Sequence, residues 1–253
     1  MCYTNSKPSC FVINLSIETE RRMRMANFRT PEEIEATRQK IVLAAAKLFL
    51  SKGFEHTKVK DIAAAAGLPV NAIYYDLNNK DEILSELVKF VLKEQFTKAT
   101  ELLNGKTDDK ILYYAVETTL QLHLSEYNEN IRELYAAAYS LPKCTTYIQH
   151  TITEKLEDIF KEHLPDNETK DFYELEIASG GIMRGFLTIP CDMYFTMDRK
   201  VKRFLETTFL VYEVPKTKIA EAVEFVSQFD FPKIAKETID TMLAKLENVS
   251  SEK

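Results

Sequence analysis

Eight prolines in 253 residues limit this chain more than any other feature. Proline has no backbone N–H and clashes with the turn before it, so it is kept out of helix interiors and central strands. Pro142, Pro165, Pro190, Pro215 and Pro232 all punctuate amphipathic stretches at helical spacing. The spacing predicts helices over about 108–127, 129–140, 143–164, 168–189, 198–213, 216–228 and 231–247. No convincing β-alternating segment and no internal repeat interrupts them. Glycine is also scarce, at six residues, which argues against turn-dense all-β classes. The expected fold is all-α: a small N-terminal three-helix unit followed by a larger C-terminal helical bundle.

The composition is that of a soluble globular chain of one or two domains, with 45% apolar and 28% charged residues. The four cysteines, Cys2, Cys10, Cys144 and Cys191, include no C-x-x-C pair and no zinc-type cluster with histidine. His150 and Glu154 stand four apart, but two ligands are too few for a metal site. No metal and no cofactor are expected. No Ser–His–Asp or Cys–His arrangement can be defended, so the chain does not read as an enzyme. Cys144, near a helix start, is a candidate thiol of lowered pKa. The longest mainly apolar run, Ile41–Leu50, is broken by Lys47 and too short to span a membrane. Cytoplasm is the default location.

Thr30-Pro31-Glu32-Glu33 is a capping box with proline at the first helical position, and Gly53 is placed to stop the helix it opens. A short helix follows, with Thr57 as its expected N-cap, and Gly67 ends it. Leu68-Pro69 turns the chain into a third helix over about Val70–Leu77. A long helix starts near Lys80 and runs to about Leu103. The segment Thr57–Lys80 is therefore a helix–turn–helix pattern, whose last short helix can lie in a DNA major groove.

A longer string is more specific. Ile41, Ala44, Ala45, Leu48, Phe49, Gly53 and Phe54 are followed by Thr57, Asp61, Ile62, Ala63, Ala66, Gly67 and Leu68. Ala72-Ile73-Tyr74-Tyr75 and Lys80-Asp81-Glu82-Ile83 complete the order. Over about residues 34–85 this resembles the DNA-binding domain of the TetR/AcrR family of bacterial transcriptional regulators. The resemblance implies a homodimeric repressor that leaves a double-stranded operator when a small molecule enters the C-terminal bundle. The implied division is a DNA-binding domain over 25–80 and a ligand-binding and dimerisation domain over 81–253. The alternative is a DNA-binding structural or interaction protein with the same helix–turn–helix and no inducer.

Physical roles follow for individual residues. A hydroxyl at Thr57, at a helix N-terminus, suits a phosphate, with Lys58 and Lys60 beside it. Tyr75 can donate to a phosphate, and Lys80 matches the family's phosphate-contacting lysine. Asn71 is the candidate adenine reader, and Pro69, Val70 and Ala72 offer apolar contact to thymine methyls. Tyr74 is read equally well as core or groove-facing. The sequence departs from the family at Asn71, where a small residue is common, at Asp76, where His or similar is common, and at Leu77. Asp76 would repel a phosphate unless it caps the next helix or pairs with Lys80. The third helix holds no Arg or Lys, so the expected operator is an A·T-rich palindrome.

The bundle is rich in aromatic residues. Tyr113, His123, Tyr139 and Phe186, which combine ring surface with polar tips, are the candidate ligand-binding residues. Ser179–Gly185 lacks phosphate-loop spacing and reads as close packing, at a pocket or a dimer face. Arg184 is expected in a surface ion pair, with neutralisation of an anionic ligand as the alternative. The net charge of −6 resides here: residues 90–253 carry 20 basic and 28 acidic groups, against nine of each in 25–89. Acidity of the whole chain therefore does not exclude DNA binding by its N-terminal part, but the binding unit is neutral.

Residues 1–24 show no helical period. They read as a disordered tail or as an extension upstream of a true start at Met25. Glu20–Met25 can be encoded with a purine-rich ribosome-binding stretch just before the Met25 codon. On the second reading, the intact mass of natively expressed protein corresponds to a chain beginning at Met25; a mass that retains Cys2 and Cys10 excludes it.

Overall fold

The structure is a computed structural model that describes residues 29–251, with side chains to 248. The expectations for residues 1–24 and for a start at Met25 lie outside the described residues. The described residues form helices and no strand: α1 Pro31–Lys52, α2 Val59–Ala66, α3 Val70–Leu77, α4 Lys80–Leu103, α5 Lys110–Ser125, α6 Glu129–Ala138, α7 Pro142–Phe160, α8 Thr169–Thr188, α9 Met197–Val211, α10 Lys216–Val226 and α11 Phe231–Ser251. Each expected helix is present, with ends shifted by a few residues. Prolines sit at helix starts as much as in gaps. Pro31 and Pro142 open α1 and α7, and Pro69 and Pro215 occupy the N-cap positions of α3 and α10. An N–H there has no intrahelical partner to lose.

The caps explain the boundaries. The Thr30 hydroxyl accepts from the Glu33 amide at 3.2 Å, and the Glu33 carboxylate accepts from the Thr30 amide at 2.8 Å. Gly67, at φ +67°, ends α2 in the left-handed region that favours glycine, and the Leu68 amide closes the turn onto the Ala63 carbonyl at 2.9 Å. Asn79, Asp109, Asn128 and Thr196 cap α4, α5, α6 and α9 with side-chain oxygens.

Two cores result. Ile41, Ala45 and Phe49 of α1 meet Ile62 of α2, Ile73 and Leu77 of α3, and Ile83 and Leu84 of α4. The second core gathers Ala115, Val116 and Leu120 of α5 with Phe160, Phe172, Leu187, Phe204 and Phe209. Helix α5 is buried on nearly every side, as expected of a central helix. Helix α4 belongs to both cores: Ile83, Leu87 and Leu92 lie in the first, Ala99 and Leu103 in the second. Position 80 therefore opens a helix shared by both units. At the other end, α11 packs on α1, α4 and α5, and its Lys245 reaches Glu94 at 2.5 Å.

The α1–α2 loop is held by α6. The Glu133 carboxylate accepts from the Phe54 and Glu55 amides at 3.2 and 2.8 Å, and the Asn130 amide donates to the Leu50 carbonyl at 2.9 Å. Gly53 makes this approach feasible. Its φ is +86°, and a Cβ there would lie 2.6 Å from Glu133 Oε2. Gly53→Ala is expected to cost about 1–3 kcal/mol, through left-handed strain and the displaced carboxylate; the midpoint of urea unfolding measures it.

Candidate nucleic-acid interface and bundle interior

Helix α3 is anchored from beneath and open above. Ile73 and Leu77 are fully buried, while Tyr74 and Tyr75 are 52% and 79% exposed, and Pro69, Val70 and Asn71 are exposed too. Tyr74 is thus not a core residue. Its position, three before Leu77 but one beyond Ile73, places it on the outer flank of the helix.

Two expected phosphate contacts, Thr57 and Lys80, have partners within the chain. Thr57 is buried and precedes the helix; its hydroxyl donates to the Gly53 carbonyl at 2.7 Å, and Lys58 occupies the N-cap position. The first turn of α2 is instead served by its own acid. Asp61 accepts from the Lys58 amide at 3.2 Å and from Lys52 Nζ at 2.6 Å, which holds its carboxyl below the ordinary range. An anion at that N-terminus would meet a carboxylate already there. Lys58 and Lys60 are exposed. Lys80 is half-buried: its ammonium donates to the Phe54 carbonyl at 2.9 Å and stands 4.0 Å over the Phe54 ring. It ties α4 to the α1–α2 loop.

Asp76 pairs with Arg29, not Lys80. The guanidinium donates to both carboxylate oxygens, at 2.9 and 2.5 Å, and the Asp76 side chain is 1% exposed. Arg29 also lies 5.1 Å from the Tyr75 ring centroid. A bidentate pair fixes both planes. The carboxylate that departs from the family pattern is thus neutralised by a residue upstream of the motif. Spacing could not reveal this, since 47 positions separate the partners.

Of the four proposed ligand residues, Tyr113 and Tyr139 both lie within electrostatic reach of Glu117, while His123 and Phe186 have other neighbours. Tyr113 donates weakly to the Phe96 carbonyl at 3.4 Å and lines a groove of about 1450 Å³ between α4, α5 and α7. His123, further along α5, stacks 5.3 Å from Phe231, and burial lowers its pKa to about 4. Tyr139 accepts from Gln121 at 2.8 Å, and Phe186 packs 5.7 Å from Phe204. Cys144 is fully buried, and burial with Asp81 nearby raises its pKa to about 11, opposite to the expected lowering. His150 stacks 5.7 Å from Tyr173, and among the described residues no group of three His, Cys, Asp or Glu could hold a metal. Arg184 is exposed, with no ion pair among the described residues.

The bundle interior holds something else. Glu117 and Glu176 are 7% and 4% exposed, and neither makes an ion pair among the described residues. Burial pushes Glu117 up to about 7 against the pull of Lys155. Burial, reinforced by the Glu117 charge, pushes Glu176 up to about 8. The Ser179 hydroxyl donates to Glu176 at 3.1 Å and accepts from the Tyr212 hydroxyl at 2.7 Å. The Tyr139 phenol stands within electrostatic reach of both acids. A sequence signal did exist: Glu117 is the lone acid in the apolar run from Ile111 to Leu124.

With this geometry in place, relatives are informative. Residues 41–87 match the family model of bacterial regulatory proteins, tetR family. The chain carries a TetR-family domain. Over 60 residues it is 42% identical to the HTH-type transcriptional regulator TtgR of Pseudomonas putida, which is 24% of this chain and 29% of that one. Over 159 residues it is 27% identical to the probable HTH-type transcriptional regulator YttP of Bacillus subtilis, 61% of this chain and 70% of that one. The chain thus matches about three tenths of the length of TtgR. A crystal structure of NalD, the secondary repressor of the MexAB-OprM multidrug efflux pump in Pseudomonas aeruginosa, aligns at TM-score 0.46 and 21% identity over 71% of this chain and 97% of that one. The family model's match ends within α4, so the bundle lies outside the residues it covers. Among the described residues no helix is long and apolar enough to cross a membrane.

The acids set a pH dependence. A carboxyl that titrates higher folded than unfolded keeps its proton in the native state, so stability falls as pH rises through the raised range. His123 works oppositely, but only below about pH 6.5, where the unfolded imidazole titrates. Between about pH 6.5 and 8 the melting temperature should therefore decline, and Glu117→Gln with Glu176→Gln should flatten that decline in a calorimetric series.

Proposed function

We propose that this chain is a DNA-binding transcriptional regulator, acting as a homodimeric repressor that a small molecule releases from its operator. The observation that carries the reading is helix α3. Its inward residues are locked in the first core, and its outward residues, Val70, Asn71, Tyr74 and Tyr75, form an uncovered face with hydrogen-bonding and apolar groups. A helix so held can enter a major groove with Asn71 toward an adenine edge and Val70 toward a thymine methyl. Pro69 lies at the entry to that face. Tyr75, steadied by Arg29, supplies a phosphate donor, and the exposed Lys58 and Lys60 at the start of α2 add cations for the backbone. An A·T-rich palindrome remains the expected operator, since α3 has no guanine-reading arginine.

Dimerisation through α8 fits the outer surface of the bundle. Gly181 and Gly185 face open space, and Ile177 within α8 and Ile189 just past its end are half-exposed, while Ser179 and Gly180 turn inward toward Glu176. Two copies would set their α3 helices about 34 Å apart, one DNA turn. Helix α4, rooted in both cores, is the lever by which the bundle alters that spacing.

Tyr75→Ala should lower operator affinity about tenfold with no loss of thermal stability, because its ring is solvent-facing. Asn71→Ala should relax preference at one A·T pair by about 1–3 kcal/mol. Fluorescence anisotropy on a selected operator, repeated across salt, checks both; wild-type affinity and base preference in the two variants would refute the DNA interface.

A further inference from the structure

The bundle treats two sets of buried charge differently. Lys200, fully buried, donates to Glu126 at 2.6 Å and to the Ile189 carbonyl at 2.5 Å, while the Cys191 amide donates to Glu126 at 3.2 Å. That carboxylate has its cation, and its pKa falls below the usual range despite burial. Glu117 and Glu176 make no ion pair among the described residues; Glu117 feels Lys155 only at a distance, and burial outweighs it. Burying two acids within reach of each other is costly unless a positive charge joins them.

The surroundings add unused polar capacity. Gln95 is fully buried; its Oε1 accepts from the Tyr135 hydroxyl at 3.1 Å, and its Nε2 has no partner. Tyr135, its partner, stands on α6 one turn before Tyr139 and lies within electrostatic reach of Tyr139 and Glu117. The Thr208 hydroxyl, one turn before Tyr212, is also buried and unpartnered. Aromatic rings pack around Tyr212, the partner of Ser179: Tyr114 lies 6.0 Å from Tyr212 and 5.2 Å from Phe160. Gly180 leaves room for the acid, since a Cβ there would sit 3.0 Å from Glu176 Oε1.

We propose that Glu117 and Glu176, with Tyr139, Gln95 and Ser179 around them, form the recognition site for the ammonium group of an aryl-alkyl amine. This rests on the reading of the bundle as an effector domain, and it names the effector's chemistry. Two carboxylates without a third ligand are too few for a metal cage, whereas phenol and aromatic faces suit an organic cation. The free Gln95 amide suits an oxygen acceptor on the same molecule. Tyr113, one turn before Glu117, also lines the groove between α4, α5 and α7.

The test uses the full chain and three probes on one scaffold: tyramine (cation), tyrosol (neutral) and 4-hydroxyphenylacetate (anion). Titration calorimetry at about pH 8.5, where both acids are ionised, should show tyramine binding at least about tenfold tighter than tyrosol, and no binding of the anion. Glu117→Gln and Glu176→Gln should each weaken tyramine at least about tenfold. Without any probe, both variants should melt above wild type at that pH, because an unpaired buried charge is removed. Equal binding of tyramine and tyrosol, silence of all three probes, or a lower melting temperature in the variants would overturn the proposal. Operator binding by the probe-free proteins is read separately. Tyramine binding without DNA binding leaves the site standing and removes the regulator reading; the converse removes only the site.

Discussion

Helix α4 is the element on which the rest depends. Its first half supplies Ile83, Leu84, Leu87 and Leu92 to the N-terminal core, and its second half supplies Ala99 and Leu103 to the bundle. A helix packed at both ends cannot rotate in one core without disturbing the other, because close-packed interiors transmit displacement instead of absorbing it. Glu133 reinforces the link by holding the amides of Phe54 and Glu55, and α11 adds another through Lys245 and Glu94. The two units are distinct in core and joined in mechanics.

Most of the architecture was legible in the sequence, for local reasons. Proline exclusion, the Thr30–Glu33 capping box and the left-handed turn at Gly67 act within a few residues, so spacing alone places them. The candidate interface was legible where it followed helical periodicity: Ile73 and Leu77 inward, Asn71 and Tyr75 outward. Side-chain partners were harder to read. Thr57 looks like a cap, yet Gly53 offers a carbonyl four residues back. Lys80 looks like a surface cation, yet the Phe54 carbonyl and ring bind it. Asp76 looks like a liability until Arg29 is seen beside it. Cys144 near a helix start suggests a reactive thiol, but depth of burial decides its pKa, and depth is a tertiary property.

The bundle illustrates the same limit from the other side. Choosing Tyr113, His123, Tyr139 and Phe186 by residue type brought in Tyr113 and Tyr139 beside Glu117 but also His123 and Phe186, which pack elsewhere, because aromatic rings fill helical cores wherever helices cross. Unpaired buried charge is a sharper criterion than ring content. Apolar packing has many equivalent solutions, whereas a carboxylate without a counter-ion has an energetic cost that folding alone does not explain.

Arg29 carries the argument about charge one step further. Helix α3 has no basic residue and one acid, so by itself it presents a negative face to a phosphate backbone. The bidentate pair with Arg29 turns that acid into half of a neutral unit, and the guanidinium left over Tyr75 adds positive field at the exposed phenol. On the proposed DNA reading, recognition by a neutral domain rests on such placed groups and on two copies acting together, not on a basic surface. Arg29 lies outside the residues 41–87 that match the family model. An interface confined to those residues would therefore be missing the cation that makes Asp76 tolerable.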